Sequence, residues 1–511
     1  MSPITVKNPI IWADIPDISV IRVKNVYYMV STSMHSMPGC PILKSINLRD
    51  WEIHSYVYET LEQNEAHELV EGAHIYGKGM WAASLRYHKG RFYVCFSAND
   101  TNQFYVYTTE DIDARNWKRH VVPGLRHDPS LFFDEGRTYV IHGNGRIMIT
   151  ELSKDGTELK PDGVNQLLLE SEEQGMALRA EGCHAYKING YYYLFFIEWP
   201  KNGNQRRREI CYRSKCLFGP YESRVLLDDD LNFYNNGVAQ GGIIDTPDGD
   251  WYAVLFQDRG AVGRVPILVP MQWKQMWPVF GINGKVPEEF EANLPEAEVN
   301  AMSGSDDFQS KGGSLPLHWQ WNHNPDPALW SLTKNKGFLT LEAGHRTNSV
   351  EFARNTLTQR TEGPWCRATT SLHLEEMLPG NRAGLVALQH DFGAVGIEIS
   401  TSGEAFITVY VRGEGGTDKR LDSIPYHKSS IWLRADFNFY QLKDSVTFYY
   451  SEDGTEWKSI GQEHQLNYTL YHFMGVRIGL YHFATEQLGG IAKFQSFYYD
   501  SPNVEGAINK P

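Results

Sequence analysis

At 511 residues the chain is too long for a single hydrophobic core, so two domains are expected. A net charge of −14 argues against nucleic acid or an anionic membrane as the main partner, since both demand basic surface, and it suits a neutral small molecule. The 28 Tyr and 14 Trp fit an all-β fold, and aromatic faces also serve as platforms for sugar rings. No apolar stretch is long enough to cross a membrane as a helix. The six cysteines (Cys40, Cys95, Cys183, Cys211, Cys216, Cys366) make neither a disulfide framework nor a zinc-ligand spacing. Free buried thiols are expected, with Cys211 and Cys216 paired across a hairpin as the alternative.

The chain opens on Met1-Ser2-Pro3-Ile4-Thr5-Val6-Lys7, which has no signal-peptide core. A cytoplasmic location is expected, or a secreted or periplasmic one where a signal peptide has been removed. Over residues 1–300 one short unit recurs, a turn followed by an aromatic strand. It reads Lys24-Asn25-Val26-Tyr27-Tyr28, then Lys89-Gly90-Arg91-Phe92-Tyr93, then Glu135-Gly136-Arg137-Thr138-Tyr139. Asn189-Gly190-Tyr191-Tyr192-Tyr193 and Asp248-Gly249-Asp250-Trp251-Tyr252 complete the set. A turn pair such as Asn-Gly between β-type runs marks a hairpin. The anchoring tyrosines Tyr28, Tyr93, Tyr139, Tyr193 and Tyr252 are 65, 46, 54 and 59 residues apart. Irregular repeats of this length, each a small antiparallel sheet, predict a β-propeller of five blades.

In a propeller the innermost strands run side by side around a channel, so equivalent positions at their starts meet at one end of it. Counting back 11 or 12 residues from each tyrosine gives Asp17, Trp81, Asp128, Glu181 and Gln240. A single acid beside Pro or Gly is more often a turn former. Three carboxyls in register predict a funnel built for chemistry. Cleaving a glycosidic bond takes one protonated carboxyl to protonate the leaving oxygen and one ionised carboxyl on the other side. A third carboxylate nearby holds the proton on the acid, because like charges resist coexisting. Asp17, Asp128 and Glu181 supply that set, and Trp81 offers a face for stacking. Arg264 is expected to bind sugar hydroxyls and keep a carboxylate ionised, with an ordinary structural ion pair as the alternative.

Near residue 284 the text turns acidic, Pro-bearing and poor in aromatics, through Glu288-Glu289-Phe290-Glu291-Ala292-Asn293-Leu294-Pro295, and reads as a linker. From Asp306-Asp307-Phe308 a different β pattern begins. Runs at 338–342, 383–388, 395–399, 405–410, 431–437, 446–450, 475–480 and 494–500 are strands, with Ser451-Glu452-Asp453-Gly454 as a tight connection. Strands at this spacing without helical periodicity predict a β-sandwich over 305–511.

These residues also carry a resemblance. Asn8-Pro9-Ile10-Ile11 with Pro16-Asp17-Ile18-Ser19, Trp81-Ala82-Ala83-Ser84, His127-Asp128-Pro129-Ser130 and Ala180-Glu181-Gly182-Cys183-His184 resemble, in order, the motif blocks of glycoside hydrolase family 43. Ile18, Ala83 and Cys183 stand where that family usually has proline. The resemblance implies a five-bladed propeller and an inverting mechanism. It implies Asp17 as general base, Glu181 as general acid, Asp128 as the residue that tunes and orients the acid, and Arg264 as the active-site arginine. It also implies exo-release of xylose or L-arabinofuranose from xylo- and arabinoxylo-oligosaccharides, and a concanavalin-like C-terminal sandwich. Met34 and His35 stand where many β-xylosidases carry a Phe-Glu pair, which makes them candidate sugar contacts, against ordinary packing. Gln240 occupies the place of a channel histidine that holds a metal or water in many relatives. No cofactor is then required for the chemistry, and calcium enters only as a structural addition, at Gln240 or between Asp307 and Asp500 in the sandwich. Two alternatives remain: a non-catalytic sugar-binding protein, and a retaining fructosidase-like propeller, whose Asn-Asp-Pro-Asn-Gly opening is missing. The oligomeric state is not legible in the sequence.

Overall fold

The computed structural model describes residues 3–310, 312–412 and 416–502, so Met1-Ser2 and the last nine residues of the expected second domain lie outside the described residues. Five four-stranded antiparallel sheets follow one another along the chain. Their first strands are Ser19–Val23, Met80–His88, Ser130–Asp134, Met176–Ile188 and Ala239–Asp245. Each packs against the first strand of the next sheet, and the fifth packs back on the first, which closes a five-bladed propeller.

The repeated turn explains why the blades form. Lys89-Gly90, Glu135-Gly136 and Asn189-Gly190 have positive φ at both residues, the geometry that matches the twist of a two-residue hairpin. The aromatic strand after each turn is central in its blade, and Tyr28, Tyr93, Tyr139, Tyr193 and Tyr252 are all buried. Serines close to the ring positions tie one blade to the next. The hydroxyls of Ser19, Ser84 and Ser130 accept hydrogen bonds from the backbone amides of Leu85, Leu131 and Ala185, each 3.0–3.1 Å long.

The stretch read as a linker is partly ordered into the propeller. Its strand Glu289–Ala292 pairs antiparallel with Ile4–Lys7, so the chain leaving the last blade clasps the segment that enters the first. Beyond it, an eight-stranded and a seven-stranded sheet pack face to face as a β-sandwich over a core that includes Leu385, Val395, Leu433, Phe448, Leu480 and Phe494. The predicted strands reappear slightly lengthened, for example Asn381–Leu388, Ser430–Asn438 and Ile491–Asp500. All six cysteines are free, and Cys216 alone is exposed.

The two parts are interlocked. Ser36–Met37, from a propeller loop, pairs with Gln320–Asn322 and forms the last strand of the eight-stranded sheet. Buried Asp14 accepts hydrogen bonds from the backbone amides of Arg264 (2.7 Å) and Gly475 (2.8 Å), joining the last blade to a sandwich loop. The Arg360 side chain reaches the Asp14 carbonyl at 3.1 Å. A chain ending near residue 300 would leave Asp14 half-satisfied and the faces around Val262 and Ala13 open to water. Such a truncated protein is expected to be insoluble or inactive. A soluble, fully active propeller would show that the sandwich is dispensable.

Candidate functional site

The five ring positions do meet. Asp17, Trp81, Asp128, Glu181 and Gln240 line one pocket of about 160 Å³, together with His127, Arg264 and Phe256. The backbone explains how they point inward. Asp17, Asp128 and Gln240 have φ of 52°, 46° and 61°, a left-handed conformation that non-glycine residues rarely hold. At Glu181 the register with the next strand shifts on both sides, and Gly182 takes the positive φ instead. Such bulges turn a side chain out of the pleat.

Asp17 sits on the floor. Its carboxylate accepts from Arg264 Nη1 and Thr32 Oγ1, both at 2.7 Å, and from Gln240 Nε2 at 3.2 Å. Three donors fix its orientation and suit an anionic acceptor. Burial alone would lower the Arg264 guanidinium, but the charges of Asp17, Tyr468 and Asp14 outweigh it and hold the group firmly protonated. Arg264 Nε and Nη2 and the Tyr468 hydroxyl are buried with no hydrogen-bond partner among the described residues. Unpaired polar groups lining a pocket call for a polar ligand.

Glu181, Asp128 and His127 form a second group, with one ligand atom from each lying within 4.8 Å of the others. Glu181 Oε2 is 3.0 Å from His127 Nε2 and also accepts from Asn144 Nδ2. Burial drives the Asp128 carboxyl upward; His127 opposes this, while Glu181 and Asp17 push the same way. The charge of Asp128 raises His127 in turn, against its burial, with help from Glu181. Asp128 and His127 are thus raised together, and the charges of Glu181 and Asp17 add to both shifts. His127 carried no ring-register signal in the sequence, although it immediately precedes Asp128.

The wall opposite comes from the sandwich. Tyr468, Leu470 and Phe473 reach into the pocket from the far domain. The Phe473 ring lies 5.3 Å from Trp81 and 4.9 Å from the Arg264 guanidinium. A turn so far along the chain from the last blade, which ends at Phe280, gives no sign in the sequence of which pocket it enters.

Met34 and His35 lie elsewhere. Met34 is fully buried and pairs with Met80 through the backbone. His35 is buried at the domain interface, edge-on to Tyr76 at 4.5 Å and stacked on His323 at 5.2 Å. Neither lines the pocket, because the loop that carries them turns outward to give the sandwich its added strand. The residues suggested for calcium lie in two separate places. Gln240 spends its amide nitrogen on Asp17, and its backbone amide binds Glu209. Asp307 caps the amide of Gln309 at 3.0 Å, and Asp500 lies in register with Arg367. Gln240 lines the same pocket as His127, Asp128 and Glu181, whose ligand atoms lie within 4.8 Å of one another, whereas Asp307 and Asp500 belong to no such group among the described residues.

Comparison with known proteins agrees with this fold. A family model described as glycosyl hydrolases family 43 covers residues 6–278, and one described as the beta xylosidase C-terminal concanavalin A-like domain covers 305–500. The chain superposes on the solved structure of a bifunctional GH43-CE protein of Bacteroides eggerthii with a TM-score of 0.92 and 42% identity. The match covers 99% of this chain but 64% of that one, so this chain spans under two thirds of that protein. It is 28% identical to a beta-xylosidase of Formosa agariphila, over 98% of this chain and 91% of that protein. It is 29% identical to a non-reducing end alpha-L-arabinofuranosidase of Bacteroides ovatus, over 69% of this chain and 66% of that protein.

Gly182 offers a check on the ring. Its φ is +70°, and a Cβ there would lie 2.7 Å from Gln240 Cγ. Gly182→Ala is expected to lower stability by roughly 1–2 kcal/mol from the left-handed backbone alone, with more from the clash. Thermal unfolding at the wild-type temperature would show that the position does not need glycine.

Proposed function

This chain belongs to glycosyl hydrolases family 43 and is a glycoside hydrolase, and on that premise we propose that it removes single xylose or L-arabinofuranose units from the ends of xylan-derived oligosaccharides, with inversion. Asp17 is the base that activates water, Glu181 is the acid that protonates the leaving oxygen, and Asp128 tunes and orients that acid. The observation that carries the reading is the division of the carboxyls. Asp17 is ion-paired with Arg264 on the floor, and Asp128 and Glu181 are clustered with a shared histidine. A base has to be ionised and an acid protonated at the same pH, and different surroundings for the two carboxyls suit that division of roles. Family membership sets aside the fructosidase-like alternative, and the three retained carboxyls speak against a protein that only binds sugar.

The small pocket supports exo action: Leu470, Tyr468 and Phe473 line one side of a space of about 160 Å³ that also holds Asp17. The orphan donors on Arg264 and Tyr468 are available to its hydroxyls. The relatives named for xylosidase and arabinofuranosidase activity support a pentose there. His127 suits a positioning role at the acid. Its Nε2 lies on the Glu181 oxygen and its charge offsets the crowded carboxyls.

Proton NMR of the first-formed sugar tests the mechanism. Inversion is expected, with the base and acid far enough apart, roughly 6.5–9.5 Å, to admit a water. A retained anomer would remove Asp17 as a base.

Asp17 and Glu181 are expected to fail differently when neutralised. Asp17→Asn loses the activation of water, so 4-nitrophenyl xyloside and xylobiose both suffer, by about 10²–10⁴-fold. Glu181→Gln loses only the proton given to the leaving oxygen, which a nitrophenol scarcely needs. Activity on the aryl glycoside therefore survives far better than activity on xylobiose, and the alkaline limb of the pH profile flattens. Equal losses on both substrates with an intact alkaline limb would exclude Glu181 as the acid.

A further inference from the structure

Arg207 stands in the same pocket, and the mechanism above leaves it unused. It is the middle of three consecutive arginines whose outer members are committed elsewhere. Arg206 Nε binds Asp228 at 2.7 Å, and Arg208 Nε binds Glu198 at 2.7 Å. The Arg207 guanidinium forms an ion pair with Asp258 and lies over the ring of Trp199, 5.4 Å from its centroid. Its main chain is fixed from behind, since a Cβ on Gly237 would meet the Arg207 carbonyl at 1.8 Å.

Depth in the pocket orders these residues. Side-chain exposure is 8% at Asp17, 19% at Glu181, 30% at Arg207 and 32% at Asp258. Leu470, across the mouth, is 77% exposed. In a blind pocket the reacting sugar goes to the floor and whatever is attached to it runs out past the acid to the rim. Trp199 pairs across the hairpin with Leu178, which lines the pocket on the strand of Glu181, and its ring backs the Arg207 guanidinium. The pocket therefore offers a charged donor fork at Arg207 and a carboxylate acceptor at Asp258. Hydroxyl groups both donate and accept, and a sugar ring presents them beside an apolar face.

We infer that Arg207, Asp258 and Trp199 form a binding site for the leaving-group sugar, so that this chain selects a pentose or hexose alcohol over a leaving group without hydroxyls. The inference rests on the function proposed above. Arg207 donates to one hydroxyl of the leaving sugar, Asp258 accepts from its neighbour, and Trp199 holds the guanidinium in place. This arrangement lowers KM for oligosaccharides and orients the departing oxygen toward Glu181.

Steady-state kinetics on xylobiose and on 4-nitrophenyl xyloside, with melting curves, test it. Arg207→Ala is expected to lower kcat/KM on xylobiose about 10–100-fold more than on the aryl glycoside, mainly through KM, as loss of a charged hydrogen bond does. The alkaline limb of the pH profile stays in place, which separates this variant from Glu181→Gln. Arg207→Lys recovers part of the loss, and Trp199→Ala shifts the same ratio in the same direction by less. Equal losses on both substrates, or no change in the ratio for either Arg207→Ala or Trp199→Ala, would overturn the site. A wild-type protein that cleaves the aryl glycoside but not xylobiose overturns the leaving-group site while the pentosidase reading stands. Failure on every aryl pentoside overturns both.

Discussion

The buried contact between Arg264 and Asp17 is the constraint around which the rest is arranged. Both groups lie on the pocket floor, away from bulk water, at 2.7 Å. A buried ion pair is maintained only when the remaining donors and acceptors are satisfied, and losing one partner costs about 3–5 kcal/mol. Here the support is extensive on the acidic side, where Thr32 and Gln240 complete Asp17. On the basic side two guanidinium nitrogens stay unpaired. The floor is thus preorganised at the carboxylate and incomplete at the arginine, which is the condition expected of a surface waiting for a hydroxylated ligand. Arg264 is held in turn by Asp14 through its own amide, and Asp14 also takes the amide of Gly475. The electrostatics of the floor therefore depend on how the second domain is seated.

The ring above that floor is built from strain and repetition together. Left-handed backbone at Asp17, Asp128 and Gln240 is unfavourable for each residue taken singly, and it persists because neighbouring strands over-determine it. The serine hydroxyls that bridge adjacent inner strands give part of that over-determination. They account for the serine at the end of three of the motif blocks, Ser19, Ser84 and Ser130, each of which holds the next blade through a backbone amide.

Much of this was legible in the sequence because it is local or periodic. The turn-plus-aromatic unit depends on residues adjacent in the chain, so five blades could be counted. The ring followed from equal offsets to the tyrosines, and the structure gathers all five positions into one pocket. What stayed hidden depends on contacts without period. Phe473 and Tyr468 arrive from a sandwich turn, His127 lies beside the ring position rather than at it, and Arg207 sits just before the third strand of the fourth blade. Met34 and His35 show the converse error. Position in a motif suggested sugar contact, with ordinary packing as the alternative, but Met34 is fully buried and His35 packs on Tyr76 and His323. The stretch near Phe290 read as a linker because its composition is that of one. Its strand exists only because Ile4–Lys7 supplies the partner.

That last pairing has a consequence for how the protein is made. Ile4 and Ala292 are register partners, and they are separated by almost the whole first domain. At about 5–20 residues per second, translation takes on the order of 15–60 seconds to deliver the second strand after the first has left the ribosome. Throughout that interval the opening strand has an unpaired edge, and the first blade has one neighbour instead of two. The ring can close only when the fifth blade and the returning strand emerge together. The nascent chain must therefore keep an open arc of sheets from pairing with other chains, a task for which strongly negative charge is well suited.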